Sequence, residues 1–248
     1  MAAKKGIEPV SALTAYDYAV ARILDEAGID IILVGDSLGM MVFGHKDTTQ
    51  VTVNMMTHHV KACRDATTRS LLVADLPYQS YQDEKQSLET ARELVKAGAE
   101  AVKLEGGKAV APQIKTILSA NIPVFGHIGM LPQQVKQEGG YKKKGKTEIE
   151  AEALVEDARQ LDKAGVSAII LENIVSSLAK EITRITNVPT IGIGSGKDCD
   201  GQILVINDLL GSYPWFRPPF AEPKADVASE TTKAVKQFVA ELSNPTRS

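Results

Sequence analysis

Cysteine is scarce in this chain, and the two present, Cys63 and Cys199, stand far apart and outside any C-x-x-C pair. That usage excludes a disulfide framework and a structural zinc site as expectations, and it suits a reducing cytosol. Long apolar runs are also missing. No uninterrupted stretch approaches the roughly 20 residues that span a bilayer, and the basic opening, residues 1–6, leads into no apolar h-region of a secretory leader. An excess of positive charge is absent too. The formal net charge is −3 and neither half of the chain is basic, which argues against nucleic acid as a partner, since that affinity rests on clustered Lys and Arg. Low-complexity segments and domain linkers are absent. The expectation is a cytoplasmic protein that meets neither membrane nor nucleic acid.

What is present is an ordinary globular balance, 44% hydrophobic and 24% charged over 248 residues, enough for one (β/α)₈ barrel or one large doubly wound domain. Eight short apolar runs read as strands, at residues 11–15, 29–34, 71–75, 101–105, 123–127, 168–172, 190–193 and 202–206. Helical periodicity fills most intervals, over residues 18–27, 86–96, 109–118 and 148–163. One phrase occurs three times: Leu24-Asp25-Glu26-Ala27-Gly28, Leu94-Val95-Lys96-Ala97-Gly98 and Leu161-Asp162-Lys163-Ala164-Gly165. Each reads as a helix end, a glycine for the left-handed position, and then a strand. The glycines lie 70 and 67 residues apart, so each interval holds two βα units. That rhythm predicts a single α/β barrel domain over residues 1–248, with a doubly wound sheet as runner-up. An amphipathic helix is expected at about 226–242, packed on the barrel or, alternatively, against another subunit. The longest irregular stretches, residues 35–54, 127–147 and 210–225, follow strands or their rim residues and are expected to serve function.

The strand ends carry the chemistry. Apolar runs terminate in Asp36, Asp75, Glu105, His127 and Glu172, and the carboxyl ends of parallel strands form the rim where such folds bind ligands. Asp36, Asp75 and Glu105 close neighbouring strands and would repel one another unless a divalent cation lay among them. Oxygen-only ligands point to a hard ion, Mg²⁺. Lys103 precedes Glu105 by two positions and so shares its face, one tier deeper. Its carboxylate neighbours favour the charged ammonium, which fits holding a substrate carboxylate better than forming a Schiff base. His127 is a rim histidine or simply a satisfied core residue; His45, His58 and His59 have weaker claims. Glu172, apart from the metal acids, suits a general base. The glycine run from Gly192 to Gly196 is a weak phosphate-loop signal. Lys142, Lys143, Lys144 and Lys146 read most simply as a solvated loop.

These same residues resemble ketopantoate hydroxymethyltransferases. The resemblance rests on Thr14-Ala15-Tyr16-Asp17-Tyr18, Val34-Gly35-Asp36-Ser37-Leu38-Gly39-Met40 with Gly44-His45, and Ala74-Asp75-Leu76-Pro77. It continues through Val102-Lys103-Leu104-Glu105-Gly106-Gly107, Gly126-His127-Ile128-Gly129, Gly139-Gly140-Tyr141-Lys142, Leu171-Glu172, Gly192 to Gly196 and Asp200-Gly201-Gln202-Ile203-Leu204-Val205. It implies a (β/α)₈ TIM barrel of the phosphoenolpyruvate mutase and isocitrate lyase type. It further implies transfer of a hydroxymethyl group from 5,10-methylenetetrahydrofolate to 3-methyl-2-oxobutanoate through a Mg²⁺-stabilised enolate, in pantothenate biosynthesis. By the family pattern Asp36, Asp75 and Glu105 surround Mg²⁺; Asp36, Ser37, Asp75, Lys103 and His127 line the oxo-acid site; and Glu172 accepts the proton. A homo-oligomer, a decamer, is implied as well. An alternative with the same metal acids is a barrel lyase or mutase acting on a phosphorylated or dicarboxylic 2-oxo acid, and a non-enzymatic sensor of such acids would not need Glu172. The chain departs from the family wording at residues 212–224. Only about ten residues precede Ser11, so another segment or a subunit neighbour is expected to cover the barrel bottom.

Overall fold

The computed structural model describes residues 4–243. Eight parallel strands hydrogen-bond in sequence order and close on themselves, which excludes the doubly wound alternative. They are β1 (Val10–Thr14), β2 (Ile31–Val34), β3 (Leu71–Asp75), β4 (Ala101–Glu105), β5 (Val124–Gly129), β6 (Ala168–Glu172), β7 (Thr190–Ile193) and β8 (Gly201–Leu204). Helices follow most strands: α1 (Tyr18–Glu26), α2 (Leu38–Met41), α3 (Val53–Arg64), α4 (Glu84–Ala97), α5 (Ala111–Ser119), α6 (Glu148–Ala164) and α7 (Ser176–Ile185). The chain forms two compact units that part between Ile203 and Leu204.

The first unit is built by alternation. Val73, Ala101, Phe125, Ala168, Ile170 and Ile191 project into one buried core cluster with Ile31 and Leu33. Two residues further along the same strands stand Asp75, Lys103, His127 and Glu172, and a period of two keeps them on the core-facing side. The register aligns Asp75 with Lys103, Glu105 with His127, and Gly129 with Glu172. Apolar lower tiers therefore lift one polar tier to the rim. Each fully buried aliphatic side chain below it contributes about 1.5–3 kcal/mol.

Helix ends follow local chemistry. Asp17, Thr52, Asp83 and Thr147 accept from backbone N–H groups in the first turns of α1, α3, α4 and α6. The repeated phrase behaves as its glycines require: Gly28, Gly98 and Gly165 have φ of +83°, +119° and +88°, the left-handed region open to glycine at little cost. At the amino ends of the strands, residues 4–6 bind the barrel bottom directly. Lys4 pairs with Asp30, Lys5 reaches Asp200 at 2.9 Å, and Lys5 also donates to the Thr183 carbonyl.

The second unit holds α8 (Ile206–Leu210) and α9 (Val227–Ser243). No residue of α9 is buried, and Val235, Phe238, Val239 and Leu242 are exposed. The amphipathic segment forms a helix whose apolar stripe is exposed. Among the described residues no helix is long and apolar enough to cross a membrane.

Candidate active site

The rim is assembled from buried charges. Asp36, Asp75, Lys103, Glu105 and His127 are each at most 4% exposed. Ionic groups so withdrawn from water persist only with partners or a ligand. Asp36 lies just past β2, reached through Gly35, which occupies the next core-facing position after Leu33. A Cβ at Gly35 would press to 3.0 Å from Ser37 Oγ and 3.5 Å from Asp75 Oδ2. The Asp36 backbone N–H donates to Asp75 Oδ2 at 3.0 Å.

Each rim acid has one oxygen fixed in this way. Asp36 Oδ2 accepts from Gln133 Nε2 at 2.7 Å, and Glu105 Oε2 accepts from the Gln133 backbone N–H at 3.0 Å. Of the second oxygens, Asp75 Oδ1 and Glu105 Oε1 are buried without a hydrogen bond. Asp75 Oδ1 lies 3.1 Å from Lys103 Nζ as an ion pair. Burial and the neighbouring Asp75 push Asp36 up to about 7, and burial likewise drives Glu105 well above the usual carboxylate range. Burial alone would lower Lys103, but Asp75, Glu105 and Asp36 outweigh it and hold the ammonium above its ordinary value.

This donor set fits a hard cation. Glu105 Oε1 is buried without a hydrogen bond, and the raised carboxyls of Asp36 and Glu105 invite a positive charge. No three Asp, Glu, His or Cys side chains among the described residues are arranged as a metal-holding group. Mg²⁺ is well served by such a place, because it takes one or two carboxylates and fills its octahedron with waters or substrate oxygens. Asp36, Asp75 and Glu105 are the rim carboxylates whose chemistry would suit such an ion.

Glu172 ends β6 across the mouth, its side chain 14% exposed. Burial raises it to about 7. Its strand is held close by Gly129, where a Cβ would come within 2.2 Å of the Glu172 carbonyl, while the Met130 N–H donates to that same carbonyl. His127 Nε2 lies 3.2 Å from Glu172 Oε2. Ser37 Oγ meets Tyr16 Oη at 2.9 Å, and Thr14 supports that phenol at 2.9 Å.

Other sequence candidates take structural places. Ser195 Oγ bonds the Leu171 carbonyl and the Ile174 N–H, bracing the end of β6. Gly192 and Gly196 allow close packing against Cys199 and Ser176. The lysine loop is less free than its composition suggests. Lys144 pairs with Glu138 at 2.7 Å, and its backbone is tied to Asn173 and Val175; Lys143 donates to the Gly194 carbonyl at 3.3 Å. Sequence reasoning missed Gln133 and Tyr81. The available signal was a polar residue directly after Met130-Leu131-Pro132, where a rim loop turns back.

Against known proteins, residues 1–246 match the ketopantoate hydroxymethyltransferase family. A 3-methyl-2-oxobutanoate hydroxymethyltransferase of Ignicoccus hospitalis is 50% identical over 239 residues, covering 96% of this chain and 90% of that protein. One from Syntrophus aciditrophicus is 46% identical over 245 residues, covering 98% and 90%. In fold the chain is similar to phosphonopyruvate hydrolase solved with oxalate and Mg²⁺, with TM-score 0.66, 12% identity and coverage of 97% and 84%. It is also similar to 2,3-dimethylmalate lyase of the phosphoenolpyruvate mutase/isocitrate lyase superfamily, with TM-score 0.64, 17% identity and coverage of 98% and 85%.

Proposed function

The chain belongs to the ketopantoate hydroxymethyltransferase family, and from that premise we propose that it converts 3-methyl-2-oxobutanoate and 5,10-methylenetetrahydrofolate to 2-dehydropantoate and tetrahydrofolate. The observation that carries this reading is the division of the rim. Lys103 and three acids occupy one side, while Glu172 stands apart with its carboxyl raised to about 7.

The Lys103 ammonium binds the substrate carboxylate, and Ser37 lines the same pocket. Asp36 and Asp75, backed by Glu105, would hold Mg²⁺. When bound, that ion supplies Lewis-acid stabilisation where negative charge develops on the substrate oxygen. Glu172 takes the proton from C3, and the electron pair left there is shared with the adjacent carbonyl. His127 sets its Nε2–H beside Glu172, 3.2 Å from Oε2, as an uncommitted donor available during the proton transfer. C3 then forms the new bond to the one-carbon unit while the carbon–nitrogen bonds to folate break. One water supplies the hydroxyl, and the two folate nitrogens take the C3 proton and the second water proton. Burial of the rim strengthens each of these electrostatic contacts.

The test is direct. Purified protein with both substrates and Mg²⁺ should form 2-dehydropantoate, and EDTA should abolish turnover until Mg²⁺ is restored. Absence of product with both substrates and metal present would overturn the reading. The proposal extends to a homo-oligomer, supported by the exposed α9 stripe, which sedimentation measures.

A further inference from the structure

We propose that Gln133 is a positioning residue that aims the free oxygens of the rim carboxylates at the metal, and that Tyr81 latches its amide in the working orientation. This rests on the metal-dependent reading above and assigns a role to residues outside the acid set. Of the N–H donors that anchor Asp36, Asp75 and Glu105, two come from Gln133 and one from the Asp36 backbone. Gln133 thus couples an acid beyond β2 to an acid ending β4, although it belongs to neither element.

The local chain explains the reach. Gln133 lies in the short 3₁₀ turn Pro132–Gln134 and is 1% exposed. Proline opens the turn with no N–H of its own, and the first N–H groups of any helical turn lack an internal partner. The Gln133 N–H is therefore free for Glu105 Oε2. The side chain is saturated as well. Nε2 spends both hydrogens, on Asp36 Oδ2 at 2.7 Å and on the Leu76 carbonyl at 3.0 Å. Oε1 accepts from Tyr81 Oη at 2.5 Å.

An amide can flip, and the flip would be costly here. With Asp36 ionised, it would set Oε1 against Asp36 Oδ2 and the Leu76 carbonyl, three acceptors with no proton among them. The Tyr81 O–H selects against that state because it needs an acceptor. Burial raises the phenol well above its ordinary range, so it remains a donor. Orienting contacts of this kind beyond the ligands themselves commonly contribute 10–100-fold to metal affinity.

The experiment uses Mn²⁺ alone as the probe, with free Mn²⁺ read by electron paramagnetic resonance and no substrate present. Gln133→Leu keeps the volume and removes the side-chain donors; Gln133→Glu puts a carboxylate opposite Asp36; Tyr81→Phe removes only the latch. The expected result is a Mn²⁺ Kd raised roughly 10–100-fold in Gln133→Leu, with a smaller rise in Tyr81→Phe and a bound-Mn²⁺ spectrum altered in both. Parent-like Kd in both variants would overturn the inference. If Gln133→Leu does not fold, Tyr81→Phe decides, and an unchanged Kd there overturns it. A parent that binds no Mn²⁺ removes the metal reading and this inference together. A parent that binds Mn²⁺ tightly, loses that affinity in the variants and makes no 2-dehydropantoate upholds the inference and removes only the substrate assignment.

Discussion

Lys103 Nζ lies 3.3 Å from His127 Nδ1, and this contact dictates where the imidazole keeps its proton. An ammonium can only donate, so Nδ1 accepts and the hydrogen resides on Nε2. Burial and the Lys103 charge hold His127 well below its ordinary pKa, which keeps the ring neutral. Its Nε2 lies 3.2 Å from Glu172 Oε2 yet forms no hydrogen bond. The ring therefore presents an uncommitted donor to the site.

That arrangement separates two substitutions. In His127→Gln the amide nitrogen takes the place of Nε2 and keeps a donor toward Glu172. In His127→Asn the amide reaches only the Nδ1 position beside Lys103. His127→Gln should retain roughly tenfold more kcat than His127→Asn, the value of about one hydrogen bond. Equal rates in steady-state assays would show that the Nε2 donor plays no part.

Much of this geometry was legible beforehand, for a simple reason. Inner positions of β3 to β6 alternate strictly, so an acid or base at the end of each apolar run had to stand at the rim. Lys103 and Glu105, two apart on β4, illustrate this most plainly. Gln133 and Tyr81 were not legible because both come from loops whose path is set by tertiary packing. Helices α3 and α7 escaped a pattern reading for another reason. The first carries two adjacent histidines and polar residues that dilute its stripe, and the second begins without a side-chain cap. The α9 stripe was visible, but periodicity reports only that a face is apolar, never what covers it.

Asp25 offers a test of the scaffold alone. Its carboxylate accepts from the Thr68 N–H and hydroxyl and from the Arg69 and Ser70 N–H groups, tying α1 to the lead-in of β3. Burial works against the charge, but these donors outweigh it and depress the carboxyl. A folded value below the unfolded ~3.9 adds stability that is complete above that pH and fades as pH falls through the folded value. Asp25→Asn should cost about 1–3 kcal/mol near neutrality. In urea titrations the gap between parent and variant should narrow below about pH 4. A gap independent of pH would mean that packing, not charge, is lost.

Lys103 is held as an ammonium by Asp75 at 3.1 Å and by the further carboxylates Glu105 and Asp36. An imine needs the neutral amine, which this environment suppresses. Borohydride added with 3-methyl-2-oxobutanoate should neither inactivate the protein nor add mass to the peptide carrying Lys103. Lys103→Met should instead raise the KM for the oxo acid by one to two orders of magnitude, since a charge-assisted hydrogen bond contributes roughly 1.5–3 kcal/mol. A reduced adduct on Lys103 would move the enzyme to Schiff-base chemistry.

Glu172 makes the sharpest claim on the chemistry. Burial raises its carboxyl to about 7, and only the ionised form can accept the C3 proton of 3-methyl-2-oxobutanoate. In the metal-free protein, exchange of that proton with D₂O should rise with pH through the region near 7 and level off above it. A bound cation nearby favours the carboxylate, so Mg²⁺ should move the inflection to lower pH. Glu172→Gln keeps the shape and removes the acceptor. Exchange followed by NMR without folate should fall on the order of 10²–10⁴-fold and lose the inflection, while Mn²⁺ affinity, which the proposal assigns to Asp36 and Asp75, should stay near that of the parent. If the glutamine variant exchanges the proton as fast as the parent, Glu172 is not the base. Ser195 is committed to the Leu171 carbonyl and the Ile174 N–H and His127 Nδ1 to Lys103, so neither stands ready to replace it.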